Sequence, residues 1–503
     1  MENDSQVRVA ARPVRTPPDE ARGGISFPVL DGRRSTSATG RAILADAAAA
    51  VDADLAERIR ACGDWRSDYA PFIRELTAVS ADSAESALAI SRAGLESMRS
   101  RLTFAWGGRE TPVGSALAQV EPTRELGTGL IQGAAARVSE LRVPYRGREL
   151  HGSSLAEQLD RWVDAGSVEP SFASAVGEVA RNPDWLALTG RRVALVGAGA
   201  EIGPLEPLCA WGAEVIALDV PRPRVWERIA GTARAGAGAV HVPVAPDGSQ
   251  GADLLSDLPE ANAWLQRMGQ EAELALGMYA YLDGGGHVCV SAAFDALASE
   301  LLAGGHASAL AYLATPTDAF LVPAEAAEHA HSAYAARRLR KLAQAPVRAL
   351  SGGRLFRPAY AEGVPVADAL VTQQGPNYAL AKRCQRWRGL DAEASGHRVS
   401  FNVAPATWTR SVTRNRVLAA AYAGAHHFGV EIFAPSTTRV LMAAMLVHDL
   451  NRAPAPRSHP EHLLSDGAAH GGLWRAAYEP RSVLGIAALA GLPSTLMGRE
   501  PVA

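Results

Sequence analysis

The stretch VALVGAGAEIG, Val193 to Gly203, decides the fold. An apolar run that stops on glycines reads as a buried strand entering a tight turn and then a helix. Such a turn removes side chains where the backbone must approach a phosphate, and the helix behind it aims free N–H groups and its positive end at the anion. Gly197, Gly199 and Gly203 set the spacing GxGxxxG, with Glu201 and then Ile202 where a third glycine is commoner. A tight structural turn can carry the same glycines. The apolar strand ahead of them and Asp219 at the end of the next strand point instead to a dinucleotide. A carboxylate there accepts both ribose hydroxyls of NAD and repels a 2′-phosphate. Asp219 also suits a helix cap, and Arg222 and Arg224 would serve a 2′-phosphate. NAD is therefore the expected cofactor, with NADP as the alternative.

Five further strands follow outward from this motif: Ala213 to Asp219, Ala239 to Val244, Glu273 to Tyr281, Ala309 to Thr317 and His397 to Pro405. Helical patterns separate most of them, including Pro204 to Trp211 and Val288 to Leu302. Strand and helix in alternation predict a parallel sheet covered on both faces, an α/β, Rossmann-type doubly wound architecture. One connection is long. Residues 319–372 form a lid-like insert that holds a basic amphipathic stretch, AEHAHSAYAARRLRKLAQ.

Ahead of the core, helical spacing recurs at Gly40 to Cys62, Tyr69 to Val79, Ser83 to Leu102, Val113 to Leu141 and Pro170 to Ala180. Ser154 is placed to cap a helix through Val163, with Glu157 as its reciprocal acceptor. The expected organisation is a disordered tail over 1–24 and a helical N-terminal region over 25–187. A dinucleotide-binding catalytic domain over 188–450 follows, then a C-terminal extension over 451–503 with a helix from Ser482 to Leu492.

Composition narrows the class. The chain has 503 residues, 48% hydrophobic and 20% charged, with net charge −3, which gives no electrostatic reason to expect nucleic acid or an anionic membrane. No apolar run reaches the ~18–20 residues that span a bilayer. The four cysteines are scattered without a CxxC, as in a reducing cytoplasm. The N-terminus has four acidic residues and no apolar secretory segment, so the expected location is cytoplasmic.

The second informative motif is NYALAK, Asn377 to Lys382. Tyr378 and Lys382 are four residues apart, so a helix presents both on one face. A tyrosine ionises near about pH 10, and a neighbouring ammonium together with a positive nicotinamide ring favours the phenolate. Such a tyrosine can give a proton to a carbonyl oxygen as hydride arrives, or remove it in reverse.

Glycine turn, acidic end of strand two, YxxxK helix and a sixth strand running into NVAPATWTRS occur in an order that resembles the short-chain dehydrogenase/reductase superfamily, over about residues 188 to 450. The resemblance implies that Tyr378 is the acid/base and that Lys382 is its electrostatic partner and ribose anchor. It also implies that Pro405, Thr407 and Thr409 border the nicotinamide, and that the protein forms a homodimer or larger homo-oligomer. Tyr279, near the end of the fourth strand, is expected on the cofactor side. Three departures stand out: Glu201 replaces a glycine, YAYLDGGG replaces an asparagine-rich turn, and the serine expected before the tyrosine falls near Pro365. Thr315 and Thr317, at the end of strand five, are candidate substitutes for that hydroxyl, or else open a turn at Pro316 with Asp318.

Carbonyl–alcohol interconversion on a small molecule is therefore the leading expectation. An NAD-dependent isomerase, epimerase or lyase, or an inactive nucleotide-binding protein, are the alternatives. His459 and His462, and the pair His426–His427, join no recognisable ligand set, so no metal is expected. His470, Trp474 and Tyr478 lie among glycines in a segment suited either to closing over substrate or to packing an interface. Ser291 sits in no nucleophile-elbow pattern.

Overall fold

The structure, a computed structural model, describes residues 23–360, 364–454 and 456–496. Most of the expected 1–24 tail lies outside the described residues.

Seven strands build the central sheet: β1 (Gly127–Gln132), β2 (Arg191–Val196), β3 (Glu214–Leu218), β4 (Ala239–Val244), β5 (Glu273–Met278), β6 (Ala309–Ala314) and β7 (Arg398–Val403). Their order is β7-β6-β5-β2-β3-β4-β1, parallel throughout except that β1 runs antiparallel to β4. Strand β2 lies inside the sheet, with Val193 between Val215 of β3 and Ala275 of β5. The chain winds away from β2 in both directions, so the strand order reverses between β2 and β5. A crevice opens there at the carboxyl ends of the strands. This is the Rossmann-type α/β fold that the six parallel strands predict.

Alternation along each strand divides the core. Val193, Leu195, Val215 and Ala217 join one apolar layer, while Ala194, Val196, Ile216 and Leu218 join the other. The first layer is closed by helices Pro170–Arg181, α1 (Leu205–Ala210), α2 (Pro223–Ala235) and α3 (Pro435–Asn451). Helices Gly285–Ala303 and Pro376–Ala394 close the second, backed by the N-terminal helices Thr36–Ala49, Trp65–Ser80 and Ala84–Arg101. Gly285–Ala303 is the one helix among the described residues long and apolar enough to cross a membrane, and 78% of its window is buried inside this protein.

The N-terminal region departs from its expected form between Val113 and Leu141. Helix there is confined to Val113–Ser115 and Ala116–Gln119, and the chain then forms β1 on the sheet edge. Pro122 stops the helical turn, and the GTGLIQ run supplies strand alternation, with Ile131 buried and Leu130 60% exposed. A second strand group, Gly24–Ser26 with Thr103–Trp106 and Arg109–Pro112, also lies in this region. The helix over Gly152–Asp164 starts at His151, not Ser154. The Ser154 hydroxyl accepts from the His151 N–H at 3.0 Å, so it is the partner of the cap.

The insert carries helices Ala324–Ala336 and Arg338–Leu350 and a strand pair, Ala319–Leu321 with Val366–Asp368. The side chains of residues 338–343, most of the basic run, lie outside the described residues.

Two buried charge networks join the regions. Asp318, 3% exposed, receives hydrogen bonds from Arg383 and, at 3.2 Å, from Arg386. Arg386 also reaches Glu461 at 3.3 Å, and Glu461 accepts from the Ser80 hydroxyl at 2.6 Å. In the second network Glu169 binds His470 at 2.9 Å and Arg475 at 2.6 Å. The Gly472 N–H donates to His470 Nδ1 at 3.1 Å, which leaves Nε2 as the donor to Glu169. His470 and its stacked neighbour Trp474 are thus part of the packed interior, not a mobile cover.

Asp318→Asn leaves two buried guanidinium groups short of charge, and urea unfolding should report a loss of about 3–5 kcal/mol. Burial alone would raise the Glu169 carboxyl, but His470 and Arg475 outweigh it and hold the group down at about 2. Its folded pKa lies below its unfolded one, so its stabilisation is present above the ordinary glutamate range and lost as pH falls toward about 2. Thermal midpoints measured from pH 6 downward should fall less steeply for Glu169→Gln than for the parent.

Candidate active site

The glycine turn is fixed by its neighbours. Gly197 has φ +84°, and a Cβ there would stand 2.4 Å from the backbone N and Cα of Ala280, just beyond β5. Glycine is thus required for β2 to leave the sheet beside β5. The Gly199 N–H donates to Asp219 Oδ2 at 2.8 Å, and the Val220 N–H donates to Oδ1 at 2.8 Å. Burial raises the Asp219 pKa, opposed by those two N–H groups and by the charges of Arg228 and Arg222. Each carboxylate oxygen accepts one protein hydrogen bond and keeps a lone pair for a further donor.

Arg228, on α2, reaches the Gly199 carbonyl at 3.2 Å, whereas Arg222 and Arg224 are simply exposed at the start of that helix. Gly203 is buried against Ala200, and Ile202 is half-buried beside it. Glu201 occupies its glycine position by turning outward, and its carboxylate accepts from the Arg410 N–H at 3.0 Å. Its carbonyl accepts from Arg439 of α3 at 3.0 and 3.1 Å. These contacts hold the loop after β7 against the glycine turn. The helix behind the turn, α1, has only six residues, so its dipole contributes less than the pattern promised.

Helix α4 (Pro376–Ala394) carries Tyr378 and Lys382 on one face, with the ammonium 5.8 Å from the tyrosine ring centre. Lys382 donates to the Leu313 carbonyl of β6 at 3.1 Å and to Gln385 Oε1 at 2.9 Å. Gln385 in turn donates to Ser291 at 3.0 Å. The Tyr378 ring stacks with His287 at 5.5 Å and 18°, and Tyr281 lies 6.2 Å away. Tyr281 and His287 both belong to the segment that follows β5.

The electrostatics here reverse one expectation. Burial, then the charge of Asp318 and the neighbouring Tyr281 and Tyr422, push Tyr378 well above the ordinary tyrosine range. Burial lowers Lys382 to about 8, with Asp318 opposing. Proximity of Lys382 does not yield a phenolate in the protein alone, because desolvation acts on both groups and favours their neutral forms.

The remaining predicted residues divide. Thr315 and Thr317 lie at the end of β6 with hydroxyls 2.8 Å apart, and Gln374, four residues before Tyr378, donates to Thr317 at 2.8 Å. Asp318 is a buried ion-pair partner, more than a turn residue. Pro365 lies in the insert, where its carbonyl accepts from the Val322 N–H at 3.0 Å. Thr407 spends its hydroxyl on the Pro405 carbonyl and Thr438, each at 2.7 Å. Thr409 pairs with Ser411 at 2.8 Å. The Tyr279 ring folds back over Gly277, where a Cβ would meet it at 2.5 Å. No set of residues among those described could hold a metal ion.

Sequence reasoning did not find Arg228, His287 or Gln385. Gln385 was detectable in principle, three residues after Lys382 on the same helix. Arg228 and His287 belong to no motif.

No protein-family model matches this chain, and no curated protein matches it. Among solved structures, the chain is similar to the terminal R domain from the myxalamid PKS-NRPS biosynthetic pathway. The sequences are 15% identical, the TM-score is 0.28, and the match covers 49% of this chain and 59% of that one. A likeness of that degree adds nothing to the reading of the site, which rests on its own geometry.

Gly197→Ala would force a Cβ into the Ala280 backbone at a left-handed φ. Calorimetry should report a lower thermal midpoint, equivalent to a loss of about 1–3 kcal/mol.

Proposed function

We propose that this chain is an NAD(P)-dependent oxidoreductase that interconverts a carbonyl and an alcohol, with Tyr378 as the acid/base. One observation carries the reading: the glycine turn and the Tyr378–Lys382 face converge on the same crevice. Gly197 packs against Ala280, and the next residue, Tyr281, packs against Tyr378.

The chain's own residues fit a dinucleotide. The turn has no side chain at Gly197 and Gly199, and Asp219 stands fixed at the end of β3 with acceptor capacity to spare. Asp219 favours the ribose hydroxyls of NAD. Arg228 and the exposed Arg222 offer the charge that NADP would need. A bound nicotinamide would supply or accept the hydride.

Tyr378 does the proton work. Its neutral hydroxyl gives a proton to the carbonyl oxygen in reduction, and the phenolate left behind is stabilised by the Lys382 ammonium. In oxidation the same phenolate takes the proton of the alcohol. Lys382 is held for this role by Leu313 and Gln385, and it has N–H capacity beyond those two bonds to reach a ribose hydroxyl.

Calorimetric titration with NADH and NADPH tests the site. Binding of one of them that both Asp219→Ala and Gly199→Val abolish is the expected result. No binding of either, from protein free of prebound nucleotide, would sink the proposal. With a reducible aldehyde or ketone in hand, Tyr378→Phe should lower kcat about 10²–10⁴-fold with little change in cofactor affinity. The reductive rate should decline as pH rises through about 8, because Lys382 then loses the charge that stabilises the phenolate. Lys382→Arg should move that decline to higher pH, and an unchanged profile would count against the assigned role.

A further inference from the structure

His287 is buried without a hydrogen-bond partner beside the candidate acid. It is 1% exposed, and neither Nδ1 nor Nε2 has a partner in the protein. A neutral imidazole carries one N–H donor and one lone pair. Leaving both unmet in the interior costs free energy comparable to two lost hydrogen bonds, and a native fold seldom retains such a group for packing alone. Leucine or phenylalanine would fill the same space without that cost.

The position of the ring makes the unmet atoms informative. It stacks on Tyr378 at 5.5 Å and meets Tyr281 at 5.1 Å, and Tyr281 is the exposed member of the trio at 55%. It belongs to the first turn of the helix Gly285–Ala303, directly after β5, on the side of the crevice where Ala280 meets Gly197. Among the other candidates, the hydroxyls of Thr315 and Thr317 are tied to each other and Thr317 also to Gln374, which leaves the pair a single O–H to donate, and Pro365 has none.

We infer that His287 supplies the second hydrogen bond to the oxygen of an aldehyde or ketone substrate, opposite the Tyr378 hydroxyl. This takes the place of the absent serine and rests on the carbonyl-reduction reading above. Burial, and then the positive charge of Lys382, keep the ring neutral. A neutral ring donates without competing to transfer a proton, so Tyr378 remains the group that protonates the oxygen. The bond from His287 strengthens as negative charge grows on that oxygen, which is how a preorganised donor lowers a barrier.

The test compares the full-length parent with His287→Leu and His287→Asn. It measures thermal midpoint, NADH and NADPH affinity by calorimetry, and cofactor oxidation with butanal, benzaldehyde, cyclohexanone and 9,10-phenanthrenequinone. In His287→Leu the midpoint should hold or rise, because an unmet polar ring gives way to an apolar one. Cofactor affinity should stay within about twofold while kcat/KM falls ~10²-fold. Asparagine keeps an N–H donor of similar reach and should restore at least about tenfold of that loss. A lower midpoint with kcat/KM intact would show that the ring belongs to the core and would overturn the assignment. A loss confined to cofactor affinity would also overturn it, by placing His287 at the nucleotide. If the parent binds cofactor but reduces none of the four carbonyls, the oxidoreductase reading fails and the role of His287 fails with it. Turnover that His287→Leu preserves overturns His287 alone.

Discussion

The carboxylate of Asp318 is the point on which the rest of this structure depends. It follows the end of β6, is enclosed by protein, and is met there by two arginines of α4 and by the Ala319 N–H. Burial by itself would push Asp318 up, but Arg383 and Arg386 outweigh it and the carboxyl stays below the ordinary aspartate range. A buried pair of this kind adds little stability over an apolar replacement, but it permits one arrangement and penalises the others. Here that arrangement fixes the rotation of α4 against the sheet. Lys382 then meets the end of β6 beside Tyr378, while Arg383 and Arg386 reach Asp318. The same carboxylate also reaches the candidate site through its field, raising Tyr378 and partly supporting the charge on Lys382.

The parallel core was legible in the sequence because apolar runs such as Val193–Val196 are buried on both faces and end on glycine or an acidic residue. Strand β1 was not. Its alternation, with Ile131 inward and Leu130 outward, is short and diluted by Gly127 and Gly129, and the open edge of β4 supplies the pairing that makes it a strand. Within the site, spacing revealed what is local: Gly197 and Gly199 in one turn, Tyr378 and Lys382 on one helix face. Asp219 was legible because the end of the second strand has a fixed place relative to the first. Arg228 and His287 reach the crevice through tertiary packing, and no sequence period encodes that. In the protein alone Tyr378 shifts upward for a related reason. The charge of Lys382 is visible in the chain, but the low-dielectric surroundings that overrule it are made by residues brought from elsewhere.

The candidate site joins two kinds of order. One half, at the glycine turn, is backbone: a left-handed glycine, N–H groups and a carboxylate pinned by them. The other half is side chains on two helices, tied by Lys382 to Leu313 and by Gln385 to Ser291. Polar chains of this type are rigid when every member is satisfied. His287 is the member of this neighbourhood left unsatisfied, which is why it stands out from the other buried polar groups at the crevice.

The path of the Asp318 network through the chain bears on how the molecule is made. Asp318 leaves the ribosome before Arg383 and Arg386, and Ser80 waits 381 residues for Glu461. Domains that close locally can fold as they emerge. This one holds a cationic helix in its interior whose second counter-charge arrives only with the C-terminal extension. The sheet can assemble before Glu461 is made, but the setting of α4 becomes final only once that residue has joined Arg386 and Ser80.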